Sequence, residues 1–349
     1  MKKPKRLIGI VIILIGILIL SIGIATSLGS ANIPMGQCYQ ILVSKIVGVN
    51  RWIDTREIKE VYQTIILQVR LPRILMAGLV GCGLSVVGAA FQGLFRNPLA
   101  DPHILGVSSG AALGATFAIL SGISFQFLGL GFIGICAFFG ALITVFLVYT
   151  ISSIAGRGQI TGILLTGTAI STMLTSIISL LMTLNRDQLE TVYMWTLGSF
   201  SSATWSKIRF LAIFVGIGVV IIFCFARDLN VLLTGEDSAQ SLGTNIHQVK
   251  LILIIVSSFL VGACVSVSGI IGFVGLLIPH CTRLLVGPNY KRLLPISCFS
   301  GAIFMILCDT IARTIISPSE LPVGVITAIF GAPYFIFLLY YNQKKIAKA

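Results

Sequence analysis

Charge is what this chain has least of. Only 10% of its 349 residues are Asp, Glu, Lys or Arg, and the acids, 11 against 24 bases, are the scarcer sign. A soluble domain carries about a quarter of its residues as charges, so this composition argues against one. Acids are almost missing from the apolar runs, where Asp309 is the exception, and a buried proton relay would need more of them. No Gly-Lys pair occurs, which removes the GxxxxGK[ST] loop that cradles nucleotide phosphates, and HExxH is also missing. The three histidines, His103, His247 and His280, lie far apart and read as packing or loop residues rather than as a metal or haem site. The eight cysteines show no CxxC spacing and sit mostly inside apolar runs, with Cys38 alone in a polar loop. They read as small packing residues, not as a disulfide or metal framework.

What is abundant is apolar surface. Hydrophobic residues make up 56% of the chain, the mean hydropathy is +1.02, and the runs are about twenty residues long, the length that crosses hydrocarbon. The expected class is an all-α, polytopic integral membrane protein. The formal net charge of +13 is spread over loops and both tails without aromatic interleaving, so nucleic acid is not an expected partner.

Ten spans are expected, at about 7–28, 71–94, 103–121, 129–153, 161–184, 207–226, 249–268, 271–286, 293–313 and 322–341, the eighth interrupted by Pro279. Lys2, Lys3, Lys5 and Arg6 precede an apolar core longer than a cleaved signal peptide's, so residues 7–28 read as a retained first helix with its basic end in the cytoplasm. Lys344, Lys345 and Lys348 place the other terminus on the same side, which an even number of crossings permits. Residues 29–69 become a long external segment. Arg70, Arg73 and Arg313 then fall outside, against the positive-inside trend, each expected at a helix end where it can snorkel to the interface. Asp309 stands four residues before Arg313, the spacing of a helical ion pair.

Three stretches stand out. From Arg70 to Gly110 the chain reads as a hairpin: two arginines, a glycine-laced span with Gly78, Gly81, Gly83 and Gly88, an Asn97-Pro98-Leu99-Ala100-Asp101-Pro102 elbow, then a second span rich in small residues. Small residues at this spacing let helix backbones approach closely. The most polar island is Gly235 to Gly243, where Glu236 and Asp237 suit the first turn of a short helix between two glycines. Around the seventh and eighth spans, Gly269, Gly272 and Gly275 precede Pro279 and His280.

Taken together, RLPR, FRNPLADPHILGVSSGAALGA, GEDSAQSLG, SGIIGFVGLLIPHCTRLLVG, DTIAR and ELPVGVITAIFGAP resemble the permease subunits of bacterial ABC importers for ferric siderophores, haem and vitamin B12, from about Arg70 to Tyr341. The resemblance implies the type II importer permease fold: one transmembrane domain of ten helices in the bacterial cell membrane, both termini cytoplasmic. A second permease copy, two cytoplasmic ABC ATPases and an external substrate-binding protein are the implied partners. ATP and Mg2+ would be bound by the ATPases, with no cofactor and no bond chemistry in this chain.

Residue by residue, the resemblance assigns Gly235, Glu236, Ala239 and Gly243 to a coupling helix at the ATPase contact. It assigns Arg70, Arg73 and Arg313 to an exposed face that docks the acidic lobes of the binding protein. Asn97 and Leu99 match a constriction, and Ile160 and Thr161, in the turn from Gly158, match the cytoplasmic gate, where this chain is less polar than the vitamin B12 permease. A ferric siderophore is the first expectation for substrate, with haem or a cobamide behind it. An ion-coupled secondary transporter is the alternative from another class, and a membrane enzyme or receptor is weaker still.

Overall fold

A segment crossing hydrocarbon has no water to satisfy its peptide groups, so apolar runs of this length must fold as helices. The computed structural model, which describes residues 3–29, 31, 33–45, 58–127, 129–156, 160–243 and 245–346, is accordingly almost entirely helical. In chain order come α1 (Lys3–Ser27), α2 (Met35–Ser44), α3 (Glu60–Thr64), a π-helical stretch (Ile65–Arg70) and α4 (Leu71–Leu94). A 3-10 turn (Pro102–Leu105) leads into α5 (Val107–Ser121), and a two-residue-strand hairpin, β1 (Gln126–Phe127) with β2 (Leu130–Gly131), into α6 (Phe132–Gly156). The rest is α7 (Ile160–Leu184), α8 (Leu189–Thr196), α9 (Trp205–Cys224), α10 (Ala226–Leu232), α11 (Glu236–Ser241), α12 (Ile246–Ser268), α13 (Val274–Val286), α14 (Tyr290–Thr314) and α15 (Val323–Ile346). Among the described residues, seven helices have the length and apolarity to cross a membrane, and α5, α13 and part of α15 are shorter apolar helices. Their positions coincide with the ten expected spans, of which the third and eighth fall on α5 and α13, shorter than a helix that crosses hydrocarbon alone.

The second span departs from expectation. Helix Glu60–Leu94 runs 35 residues without a break, so Arg70 and Arg73 lie inside a helix and not at its head. Glu60, Gln63, Gln68 and Arg70 dilute the hydropathy of its first three turns and hid them from the sequence pattern. Residues 29–69 are likewise not one irregular segment: α2 lies within them and buries Cys38 and Ile41 against Ile33, Ile58 and Ile66. Cys38, expected in a polar loop, is thus part of a small core.

α4 is the central helix, touching α14, α9, α13 and α12, while α5 pairs with α6 and α1 lies on α14. Apolar lipid offers no hydrophobic drive for helices to associate, so contact must come from close packing. At Gly88 a Cβ would overlap the backbone of Gly275 on α13, and at Gly81 the backbone of Gly301 on α14. Only glycine permits these approaches. One face of the bundle, where α1 begins and α15 ends, carries the 95–101 elbow and α11, and is called the N-terminal face here. The opposite face carries α2, the β-hairpin, α8 and the α14–α15 connection.

Two elements do not span. Between α12 and α13 the chain turns at Gly269 (φ +69) and Phe273 (φ +69), and Gly275 packs against Leu84 and Gly88 of α4, so α13 starts inside the bundle. The 3-10 turn after the elbow is also inside, packed so closely on α7 that a Cβ on Gly167 would overlap the Ile104 carbonyl. Non-helical backbone at this depth is tolerated where protein surrounds it or water fills a cavity.

Candidate functional site

On the opposite face, the three arginines converge. Arg70 Nη1 donates to the Thr26 and Ser27 carbonyls at 2.8 and 3.1 Å, and Nη2 to the Ala31 carbonyl at 2.5 Å. Arg313 donates to the Ala25 carbonyl. These oxygens belong to the last turn of α1 and its exit, where no helical N–H remains to satisfy them and the dipole favours a cation. Arg73 pairs instead with acids: Nε and Nη2 with Asp309 at 2.9 Å each, and Nη1 with Glu320 at 2.8 and 2.9 Å. Arg313 Nε is 3.7 Å from Asp309, so the i,i+4 pair forms but is secondary to Arg73. Beside this cluster, burial pushes the Cys38 thiol up, with the Arg70 guanidinium opposing the shift.

The expected exposure of these arginines is therefore corrected: Arg70, Arg73 and Arg313 are 4%, 7% and 6% exposed. A guanidinium inside a helical bundle needs acceptors, and α1, α14 and the following loop supply them, though Arg313 Nε, 3.7 Å from Asp309, makes no hydrogen bond. Glu320, with 43% of its side chain exposed, is the one member of the Arg73 set that faces outward. Its role was missed because a single loop glutamate between Ser319 and Leu321 carries no pattern of its own.

At the elbow, Asn97 is exposed and closes the turn, its Oδ1 accepting from Leu99 N at 2.9 Å and its carbonyl from Ala100 N at 3.1 Å. Leu99 is half-buried. His103, which no sequence pattern singled out, anchors the inward turn: its ring contacts Ser108 Oγ on one side and, through Nε2, the Ile271 carbonyl at 3.0 Å on the other. The two non-helical breaks of the bundle thus meet at this histidine. Gly106 to Gly110 happens to have G-x-S-x-G spacing, but the turn lacks the preceding strand of a nucleophile elbow.

The expected gate turn from Gly158 lies outside the described residues at 157–159, as does the side chain of Ile160. Thr161 is exposed at the start of α7. Above it the same helix shows a row the sequence reading did not isolate: Thr168, Thr172, Thr175, Ser179 and Thr183, all exposed. Each hydroxyl donates to the carbonyl three or four residues earlier, at 2.8 to 3.0 Å. A hydroxyl satisfied within its own helix gives a surface polar enough for water or a partner helix yet without a strong ligand.

On the N-terminal face, the short helix expected between two glycines is present: α11 is bounded by Gly235 (φ +115) and Gly243 (φ +82). Lys250 Nζ meets Glu236 Oε1 at 2.7 Å and ties it to α12. Ala239 does not face outward as expected; it is fully buried and seats the helix on the body. The outward side is Asp237, Ser238, Ser241 and Leu242, the last 68% exposed. A partly buried chain of hydrogen bonds runs from α10, beside this knob, to α4. Asn230 of α10 accepts from Tyr290 N at 2.9 Å, the Tyr290 hydroxyl meets Arg283 at 3.0 Å, and Arg283 reaches Gln92 of α4 at 3.4 Å.

Among the described residues, ten apolar helices with an open hydroxyl row, two inward breaks and an exposed knob form the bundle of a membrane permease. The chain belongs to the FecCD transport family, whose model matches residues 14–341 and so takes in the later part of the first helix as well as the motifs after Arg70. It is 40% identical over 323 residues to the uncharacterized ABC transporter permease protein YvrB of Bacillus subtilis (strain 168), covering 92% of this chain and 90% of that protein. It is 37% identical over 340 residues to the hemin transport system permease protein HmuU of Yersinia pestis, covering 97% and 96%. Among solved structures, a metal-chelate type ABC transporter in an inward-facing conformation superposes with a TM-score of 0.81 at 34% identity, covering 97% of this chain and 99% of that one.

Proposed function

We propose that this permease carries a chelated metal, a ferric siderophore in the first instance, through a pathway formed where the α7 faces of two copies meet. The hydroxyl row on α7 carries the reading. A lone membrane-spanning helix facing lipid has no use for Thr168, Thr172, Thr175, Ser179 and Thr183 on one side, whereas a wetted axis between two copies does. Such walls suit a cargo whose metal is already wrapped in organic ligand. Haem and a cobamide remain the alternative cargoes.

The N-terminal face is the cytoplasmic one in this reading. Each of two ABC ATPases, holding ATP and Mg2+, receives the α11 knob through Asp237, Ser238, Ser241 and Leu242, with Gly235 and Gly243 setting its ends, Glu236 bracing it on Lys250 and Ala239 seating it. Closure of the ATPases moves the knob, and the Asn230–Tyr290–Arg283–Gln92 relay passes that movement to α4. Asn97, Leu99, Ile160 and Thr161 gate the pathway at that side.

The opposite face receives an external binding protein. Its carboxylates engage Arg73 by taking the place of Glu320, while Arg70 and Arg313 hold the end of α1 beneath. Reconstitution with the ATPase and binding protein in proteoliposomes, with radioiron siderophore, haem or cobamide outside, tests the proposal. ATP-dependent uptake of the ferric siderophore is expected. Uptake of haem or cobamide alone transfers the cargo, and uptake driven by an ion gradient without the ATPase overturns the importer reading.

A further inference from the structure

Along α9 and α12 the bundle presents two concavities: a mostly apolar cavity holding one lysine near the opposite face, and an apolar groove farther down the same two helices. At the opposite face, a cavity of about 610 Å³ is walled by Phe125, Phe132 and Trp195 and holds Ser124, Gln126 and Lys207; its described lining contains one cation and no carboxylate. The Lys207 ammonium donates to the Ser202 carbonyl at 2.9 Å and the Ser202 hydroxyl at 2.7 Å, which leaves one of its three protons for an anion. Trp205, 38% exposed with its indole N–H bonded to the Leu67 carbonyl, marks the level where aromatic rings sit between headgroups and chains.

Below the cavity, Phe138 packs against Phe210, Phe214 and Phe259 at ring-centroid distances of 6.2, 5.5 and 6.1 Å. Below those rings a groove of about 250 Å³ opens between α9 and α12, walled by Ile213, Ile217, Gly218, Ile255 and Phe259. Ile213, Ile217 and Ile255 are 60%, 58% and 46% exposed along it. From Lys207 to Ile217 the helix rises about 15 Å, half of a hydrocarbon core about 30 Å thick.

From this order of features, a cation and hydroxyls at the interface and an acyl-sized groove reaching mid-membrane beneath them, we infer a site for one anionic phospholipid of the leaflet at the opposite face. The phosphodiester binds Lys207, the headgroup fills the Ser124–Gln126 cavity, and an acyl chain lies against Ile213 and Ile217. A zwitterionic lipid brings its own ammonium toward Lys207 and is disfavoured. The site stands apart from the α7 face and from the arginine cluster, so it does not depend on the cargo or docking proposals.

Native mass spectrometry of the full chain in detergent, with added dioleoylphosphatidylglycerol, dioleoylphosphatidylcholine or inorganic phosphate, tests the inference. The wild type should retain phosphatidylglycerol in preference to phosphatidylcholine. Lys207→Gln should weaken that retention about fivefold, the effect of one basic residue on an anionic lipid, and Lys207→Arg should restore it. Ile217→Trp, which fills the groove without touching the cation, should weaken retention as well. Equal retention of the two lipids by the wild type, displacement by inorganic phosphate alone, or phosphatidylglycerol binding indifferent to both Lys207→Gln and Ile217→Trp overturns the site. So does disulfide cross-linking between copies through Ile217→Cys, which would show a second chain on this face.

Discussion

Arg73 and Asp309, 236 positions apart, share a bidentate ion pair in which Nε and Nη2 of the guanidinium lie 2.9 Å from the carboxylate, with the Asp309 side chain 1% exposed. Removing one partner of a buried pair strands the other charge, at a cost of about 3–5 kcal/mol. Arg73→Ala and Asp309→Ala should therefore each destabilise the bundle by that amount, read as the shift in unfolding midpoint in mixed micelles. The double variant should cost less than the sum, because no uncompensated charge remains between those two positions.

Glu320 is different because its side chain is 43% exposed. Loss of a half-exposed pair costs about 0.2–1 kcal/mol, so Glu320→Gln should unfold almost as the wild type does. It should also free one edge of Arg73 for an incoming carboxylate and tighten binding-protein affinity. Unchanged affinity, measured by surface plasmon resonance on nanodiscs, would remove Arg73 from the docking face.

Leu242 is an apolar side chain 68% exposed on an otherwise polar knob. Leu242→Asp should abolish copurification of the ATPase without altering the permease's melting temperature. Ala239→Leu should do the opposite first: overfilling its closed seat costs about 1–3 kcal/mol, visible as a lowered melting temperature of the permease alone.

Gly88 meets the Gly275 backbone where a Cβ has no room. Gly88→Leu should push α13 away from α4 and sharply lower the yield of monodisperse protein in size-exclusion chromatography. Leu79→Ala, on the same helix but only partly buried, should be tolerated far better.

Cys38 is 1% exposed and its thiol is pushed up by burial, so less thiolate exists at a given pH than for an ordinary cysteine. Maleimide labelling at pH 7.5 should be slow at Cys38 and rise only at higher pH. Labelling of Cys38 as rapid as that of a small free thiol would show that α2 does not stay seated.

Much of the fold was legible because a membrane imposes length. Nine of the ten apolar segments begin and end within a few residues of their helices, for instance 161–184 against Ile160–Leu184. The second failed at its start, since polar residues dilute the hydropathy of Glu60 to Arg70, a stretch in which only Ile66 and Arg70 are buried. The α11 helix was legible from its two glycines, yet the direction Ala239 faces was not, because a six-residue helix carries too little periodicity to define a face. Arg70 and Arg313 could be named as unusual cations, but their partners are backbone carbonyls of α1, which leave no trace in residue type.

The sequence by itself determined the medium, the approximate positions of the apolar helices, the family motifs and some of the close backbone approaches, such as Gly81 and Gly88, because apolar run length and glycine placement act locally along the chain. Only the tertiary structure decided what the charges do. An arginine is placed by its acceptors, and those of Arg73 lie 236 and 247 residues away, on α14 and the loop after it. The same holds for His103, which meets Ile271 across 168 residues. Such pairings arise when helices pack, and no local pattern encodes them.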